Sequence, residues 1–161
     1  MGFACLSFIL VPRLFKDNKI SYVCATIGSY IAMLSGLSFL GVGLTPADLY
    51  FHEHVFFVIV GFRSMVPAMV FLTLAFFFSP VSNKYTVASV LFLLSITLYA
   101  FFETSDPPDV SPREDLELFK ESISYNRMVI SVIAQKVITL ISFVSFFVFT
   151  YGFYQLSLLK K

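Results

Sequence analysis

The sequence predicts an all-α protein, a polytopic transmembrane helix bundle of four full spans plus an incomplete N-terminal helix, in one domain over residues 1–161. Three observations carry this expectation. Hydrophobic residues make up 58% of the chain and charged residues 13%, where an ordinary soluble domain has about 25% charged residues. The apolar residues fall into long runs that match the thickness of a bilayer, with polar residues collected in short connectors. Lys and Arg gather in alternate connectors, as the positive-inside rule requires of a multi-pass protein. With a net charge of +1 and no Lys/Arg-rich run, the expected partners are membrane lipids rather than nucleic acid.

The first apolar run, residues 2–11, is about ten residues long, half of what a spanning helix needs at 1.5 Å per residue. Either it is re-entrant or the chain is truncated. Leu6 stands where a myristoylation motif wants Ser or Thr. A signal peptide is also a poor fit, because no basic segment precedes the run and Pro12-Arg13 follows it. The runs at 20–44 and 52–78 are long enough to span with some tilt, 86–102 lies near the lower limit, and 128–154 is long again. Cys5 and Cys24 lie in apolar segments without CxxC spacing, which reads as two buried thiols rather than a metal or redox pair.

Arg13, Lys16 and Lys19 precede the second run, Lys84 separates the third from the fourth, and Lys160 and Lys161 end the chain. Placing all three groups in the cytoplasm makes the spans of a cell-membrane protein alternate consistently, with a cytoplasmic C-terminus. The 45–51 loop, free of Lys and Arg, then lies outside, as does an acidic connector at about 103–127. In that connector Ser111-Pro112-Arg113-Glu114 reads as a capping box with proline at the first helical position, so a helix is expected to start near Ser111. Leu116, Phe119 and Ile123 recur at helical spacing. This suggests a short amphipathic helix, either on the outer membrane surface or packed over the bundle mouth.

Gly28, Ala32 and Gly36 repeat every four residues on one face of the second run, where small residues let helix backbones approach. That face suits a dimer contact or, more commonly, a contact with another span of the same chain. Pro67 removes the hydrogen bond that would end on the Arg63 carbonyl, so a kink is expected there.

Arg63 and Lys136 are the informative charges, because a cation inside the bilayer costs a few kcal/mol and must be solvated by something. Counted from the ends of their runs, both lie about 12 Å deep from the outer face. With Gln135 beside Lys136, and with Arg127, Ser131, Gln135 and Ser142 on one stripe, the last span has a polar face. The expectation is an outward-facing crevice lined by Arg63, Gln135 and Lys136, with His52, His54, Tyr99 and Glu103 at its rim. An anionic lipid headgroup or a small carboxylate suits it. Alternatively Glu53, Glu103 or Glu121 folds inward and neutralises the two cations without a ligand. His52 and His54 point about 200° apart on a helix, so no metal site or other cofactor is expected. Ser38 and Ser142 have no nearby base, so an enzyme is not expected either. The function read from these residues is that of a membrane protein binding lipid or a small anion. Its rivals are a subunit of a homo- or hetero-oligomeric membrane complex and a small transporter using Arg63 and Lys136.

The stretch Ser35-Gly36-Leu-Ser-Phe-Leu-Gly41-Val-Gly43-Leu-Thr-Pro46-Ala-Asp48, followed by His54 and an aromatic run, resembles the prokaryotic domain-of-unknown-function family numbered 998. More distantly it resembles the DRAM/Frag/Sfk membrane proteins. Gln135-Lys136 early in the last span is also similar, and the resemblance covers about residues 20–78 plus that span. It implies a bundle of about six helices, of which this chain lacks the first and part of the next. It implies no reaction, although eukaryotic relatives are linked to membrane lipid organisation. Gly43, Pro46, Asp48 and His54 match the family pattern, and by their own chemistry they end a helix and cap a turn.

Overall fold

The computed structural model describes residues 7–104, 110–122 and 125–159. A 3-10 helix, Ser7–Phe15, is followed by α1 (Lys19–Leu44), α2 (Phe51–Phe77), α3 (Asn83–Thr104), α4 (Leu116–Ser122) and α5 (Tyr125–Leu158). There is no strand among the described residues. Four helices are long and apolar enough to cross a membrane: α1, α2, α3 over Asn83–Phe102, and α5 over Val129–Leu158. The helices α3 and α5 run past the apolar segments that mark them in the sequence. Hydropathy reports where a helix meets lipid, whereas its end is set by where backbone hydrogen bonding stops. Cys5, Asp106, Pro107, Pro108, Asp109, Ile123, Lys160 and Lys161 lie outside the described residues, as does the side chain of Glu103.

Chain order is also spatial order: α1 packs on α2, α2 on α3, and α3 on α5. Asn18 starts α1, its Oδ1 accepting from the Ile20 (2.9 Å) and Ser21 (3.2 Å) amides, while its Nδ2 donates to the Phe78 carbonyl at 3.0 Å. One side chain thus caps α1 and ties it to the α2–α3 turn. Along the α1–α2 seam Gly28, Ala32 and Gly36 are all buried. A methyl added at Gly28 would stand 3.0 Å from the Ala68 carbonyl oxygen and 3.1 Å from the Leu72 nitrogen. The Ser21 hydroxyl donates to the Ala75 carbonyl (2.5 Å) and that of Ser35 to the Gly61 carbonyl (2.7 Å) on either side of this approach. The stripe of small residues is therefore an internal seam. Of the two contacts expected of it, the one formed here is with another span of the same chain, α2.

At the end of the bundle that carries Lys16, Lys19 and Lys84, the basic end, the 3-10 helix lies across α1 and α5. Phe8 meets the Phe146 and Phe153 rings, and Phe15 meets Phe76 and Phe153, with centroids between 5.6 and 6.2 Å apart. Nine residues of 3-10 helix rise about 18 Å, short of the ~30 Å needed to cross. The described part of the first apolar run thus packs within the bundle without spanning it. Through Pro67, α2 continues unbroken from Phe51 to Phe77.

Candidate lipid-facing site

The other end of the bundle is built around the α1–α2 turn. Thr45 closes α1, its amide (3.0 Å) and hydroxyl (2.8 Å) both donating to the Gly41 carbonyl. His54 lies one turn inside α2 with its Nδ1 2.6 Å from the Thr45 carbonyl. A carbonyl only accepts, so Nδ1 carries the proton and donates. His54 is thereby a fastener between two helix ends rather than a rim ligand. His52 points elsewhere, its Nε2 standing 3.5 Å from Glu114 Oε2.

The capping box expected at Ser111 forms: the Ser111 amide donates to Glu114 Oε2 (3.0 Å) and the Glu114 amide to Ser111 Oγ (3.1 Å). It closes a single turn, and the helix itself begins later, at Leu116. There Asp115 Oδ1 accepts from the amides of Glu117 and Leu118, both at 3.0 Å. The start expected near Ser111 is corrected because Asp115, with a shorter reach to its own backbone, is the stronger cap. Phe119 packs edge-on against Phe51 (6.1 Å), and Arg113 Nη1 reaches the Asp48 carbonyl at 3.5 Å. The connector thus rests on the start of α2, over the bundle mouth, while Leu116 and Leu118 remain exposed.

The Glu114 carboxyl is held below its ordinary pKa, first by the Ser111 amide, next by the Ser111 hydroxyl, and less by the charge and hydrogen bond of His52; desolvation opposes. A depressed folded-state pKa means that this contribution to docking is complete above the unfolded value and is lost as pH falls through the folded one. Amide protection at residues 111–119 is expected to fall as pH drops from about 6 to about 3, and Glu114→Gln is expected to flatten that dependence. Hydrogen exchange corrected for intrinsic rates checks it; an unchanged slope in Glu114→Gln would remove Glu114 as the tie.

Arg63 and Lys136 do lie at one level. Arg63 shares a cleft of about 110 Å3 with Val66, Pro67, Ala100 and Phe101, so it is level with the last apolar turn of α3. The antiparallel register of α5 on α3 pairs Phe102 with Ala134 and Ser95 with Ile141 in one cleft, which puts Lys136 level with the same turn. With 22 residues, α3 rises about 33 Å, about one hydrocarbon thickness, and its last turn is level with both cations. Both α2 and α5 project past it by about 12 Å.

These residues do not meet. Gln135 and Lys136 are exposed on α5, and Lys136 has no ion-pair partner among the described residues. Lys136 is two positions from Ala134, about 200° round the helix, and so points away from α3. Tyr99 is 6% exposed and stacks edge-on against Phe62 at 4.6 Å, a core residue rather than part of a rim. Glu53 and Glu121 are exposed. No group of three or more His, Cys, Asp or Glu able to hold a metal occurs among the described residues.

What does form a concave surface is the seam between α3 and α5. A cleft of about 360 Å3, open to the side, is lined by Leu98, Phe102, Ile130, Ala134, Ile138 and Ile141 among others, with Ser95 and Tyr99 the polar contributors. Arg127 is seven positions before Ala134 and so lies on the same helical face, about 10 Å further out. Periodicity placed Arg127 on the polar stripe of the last span. The cleft beneath it left no trace in the sequence, since apolar residues of a span look alike until a neighbour's register is known. Comparison with protein-family models, with curated proteins and with solved structures yields no match for this chain.

Proposed function

We propose that this is a multi-pass cell-membrane protein that holds an anionic lipid along the α3–α5 seam, an acyl chain in the apolar cleft and the headgroup at Arg127. The observation that carries the reading is the cleft itself, about 360 Å3 of almost wholly apolar surface opening sideways. A cleft of this kind facing hydrocarbon fills with a lipid chain. The distance of about 10 Å from Ala134 out to Arg127 carries the bound molecule from acyl region to headgroup region, which adds several Å per leaflet. A cation at that height turns filling into selection of negative headgroups, at about 1 kcal/mol per charge. In the same reading the basic end is cytoplasmic and the acidic connector faces outward. In the same reading the chain belongs to the domain-of-unknown-function family numbered 998, on the sequence pattern of Gly43, Pro46, Asp48 and His54.

The test is lipid retained by the purified full chain, read by native mass spectrometry from mixed phosphatidylglycerol and phosphatidylcholine. Ala134→Trp, which fills the cleft, is expected to lose both lipids. Arg127→Gln is expected to keep lipid but lose about fivefold of its preference for phosphatidylglycerol, the value of one charge. Arg63→Leu with Lys136→Met is expected to leave that preference intact. Its loss in this double variant, with Arg127→Gln unaffected, would instead favour a crevice formed by Arg63, Gln135 and Lys136.

A further inference from the structure

We infer that the basic end carries a separate site for a phosphate group, in the notch between the 3-10 helix and α1, with Arg13 and Ser29 as its donors. The notch encloses about 150 Å3, room for one phosphate-sized group, and is lined by Arg13, Tyr22, Thr26, Ser29 and Tyr30 together with apolar residues. It lies at the opposite end from Arg127, so it stands or falls independently of the α3–α5 cleft.

The hydroxyl of Ser29 identifies it. Serines in these helices satisfy their hydroxyls, either on the carbonyl four residues back, as Ser38 on Leu34, Ser64 on Val60, Ser89 on Tyr85, Ser95 on Leu91 and Ser142 on Ile138, or, for Ser21 and Ser35, on a carbonyl of α2. Ser29 departs from this. It is 2% exposed, and its Oγ has no hydrogen-bond partner among the described residues. A buried hydroxyl left without a partner costs free energy, and the local carbonyl is the cheapest remedy. A hydroxyl that lines a polar notch instead is satisfied when an acceptor occupies that notch. The Thr26 hydroxyl is already committed to the Tyr22 carbonyl at 2.7 Å, whereas that of Ser29 is a buried donor in the wall without a partner among the described residues.

The charge around the notch selects the acceptor. Arg13 lines the notch and supplies five N–H donors in a fork that suits phosphate oxygens. Lys16 and Lys19 follow within two turns, with Asp17 as the one opposing charge in that stretch. Arg13 is two residues from Phe15, which stacks on Phe76 near the last turn of α2. Ser29 is ten residues into α1, about 15 Å along it from Lys19, so the notch reaches inward from the basic end.

The experiment titrates phosphatidylglycerol into the full chain in zwitterionic detergent and counts bound lipid by native mass spectrometry; phosphorus NMR of inorganic phosphate without lipid runs in parallel. Arg13→Gln is expected to weaken binding about tenfold, as loss of a charge-assisted bond does, and Ser29→Ala about threefold. Lys16→Gln is expected to leave this site within about twofold, since a rim charge is screened. Arg13→Lys keeps the charge without the fork; its intermediate loss covers the case in which Arg13→Gln does not fold. Inorganic phosphate that binds in an Arg13-dependent way assigns the site to free phosphate, and lipid binding alone assigns it to a headgroup. Equal losses in Arg13→Gln and Lys16→Gln, or no effect of Ser29→Ala, would overturn the proposal, because general attraction to a basic surface treats those cations alike and ignores a hydroxyl.

Discussion

Gly28→Val is expected to push α1 away from α2 and to cost about 3 kcal/mol of bundle stability. The first added carbon meets backbone atoms, the Ala68 carbonyl at 3.0 Å and the Leu72 amide at 3.1 Å, and a helix backbone cannot turn aside as a side chain does. Overpacking accounts for about 1–3 kcal/mol of this. The Ser21–Ala75 and Ser35–Gly61 hydrogen bonds, stretched as the helices part, add about 0.6 kcal/mol each, the typical value between transmembrane helices. Two other glycines provide the scale. A methyl at Gly41 would stand 2.6 Å from the Phe57 ring, but that ring is only partly buried and can swing. At Gly43 a methyl meets nothing within 4 Å, so Gly43→Ala should be neutral. Reversible unfolding by SDS from mixed micelles, followed by circular dichroism, measures all three. A cost at Gly28 below about 1 kcal/mol would show that the two helices slide rather than clash.

Phe76→Ala is expected to cost about 3 kcal/mol and to release the 3-10 helix. Phe76 is 2% exposed and touches four rings: Phe15 (5.6 Å), Tyr85 (6.4 Å), Phe149 (6.0 Å) and Phe153 (5.4 Å). It thereby joins the 3-10 helix, α3 and α5 at one point. In a water-soluble core the same change costs about 3–5 kcal/mol, part of which is transfer of the ring out of water. In lipid that part is nearly absent, because the unfolded reference is also apolar. What remains is the cavity, about 2 kcal/mol for a volume of this size, and a net loss of about 1 kcal/mol from the ring contacts, since the four neighbouring rings relax onto one another. Phe76→Leu, which keeps most of the volume, should cost about 1 kcal/mol. Trypsin cleavage after Arg13 and Lys16 provides the second measurement. If stability falls in Phe76→Ala while cleavage there stays constant, the ring cluster stabilises the spans but does not hold the 3-10 helix.

The residues that misled are as instructive as those that did not. Arg63 and Lys136 were correctly set at one level, because both counts start from the same side of a hydropathic boundary. Their direction was not, since Lys136 faces away from α3, a fact set by the neighbour's register. Tyr99 reads as a rim residue from its place near a helix end, yet Phe62 covers it. His54 was legible as a turn-capping residue because histidine one turn into a helix can reach back to the preceding loop, and it does so to Thr45. Ser29 carried no signal at all. A serine in a span is commonplace, and only the course of the 3-10 helix shows that its hydroxyl opens on a notch.

By itself the sequence determined that this is an all-α chain with four helices able to cross a membrane, where those helices lie, and which of their ends are basic. These properties depend on hydropathy, chain length and charge, each a sum over neighbouring residues, and local sums are what a linear sequence contains. Tertiary structure alone decided that Gly28, Ala32 and Gly36 are spent on an internal seam, that Phe76 joins three elements, and that the α3–α5 seam and the Arg13–Ser29 notch are concave. Inside a bilayer every outward and inward face is apolar, so hydropathy cannot tell which face meets lipid and which meets protein. That choice rests on steric fit between helices distant in the chain, and it becomes visible only when they are packed together.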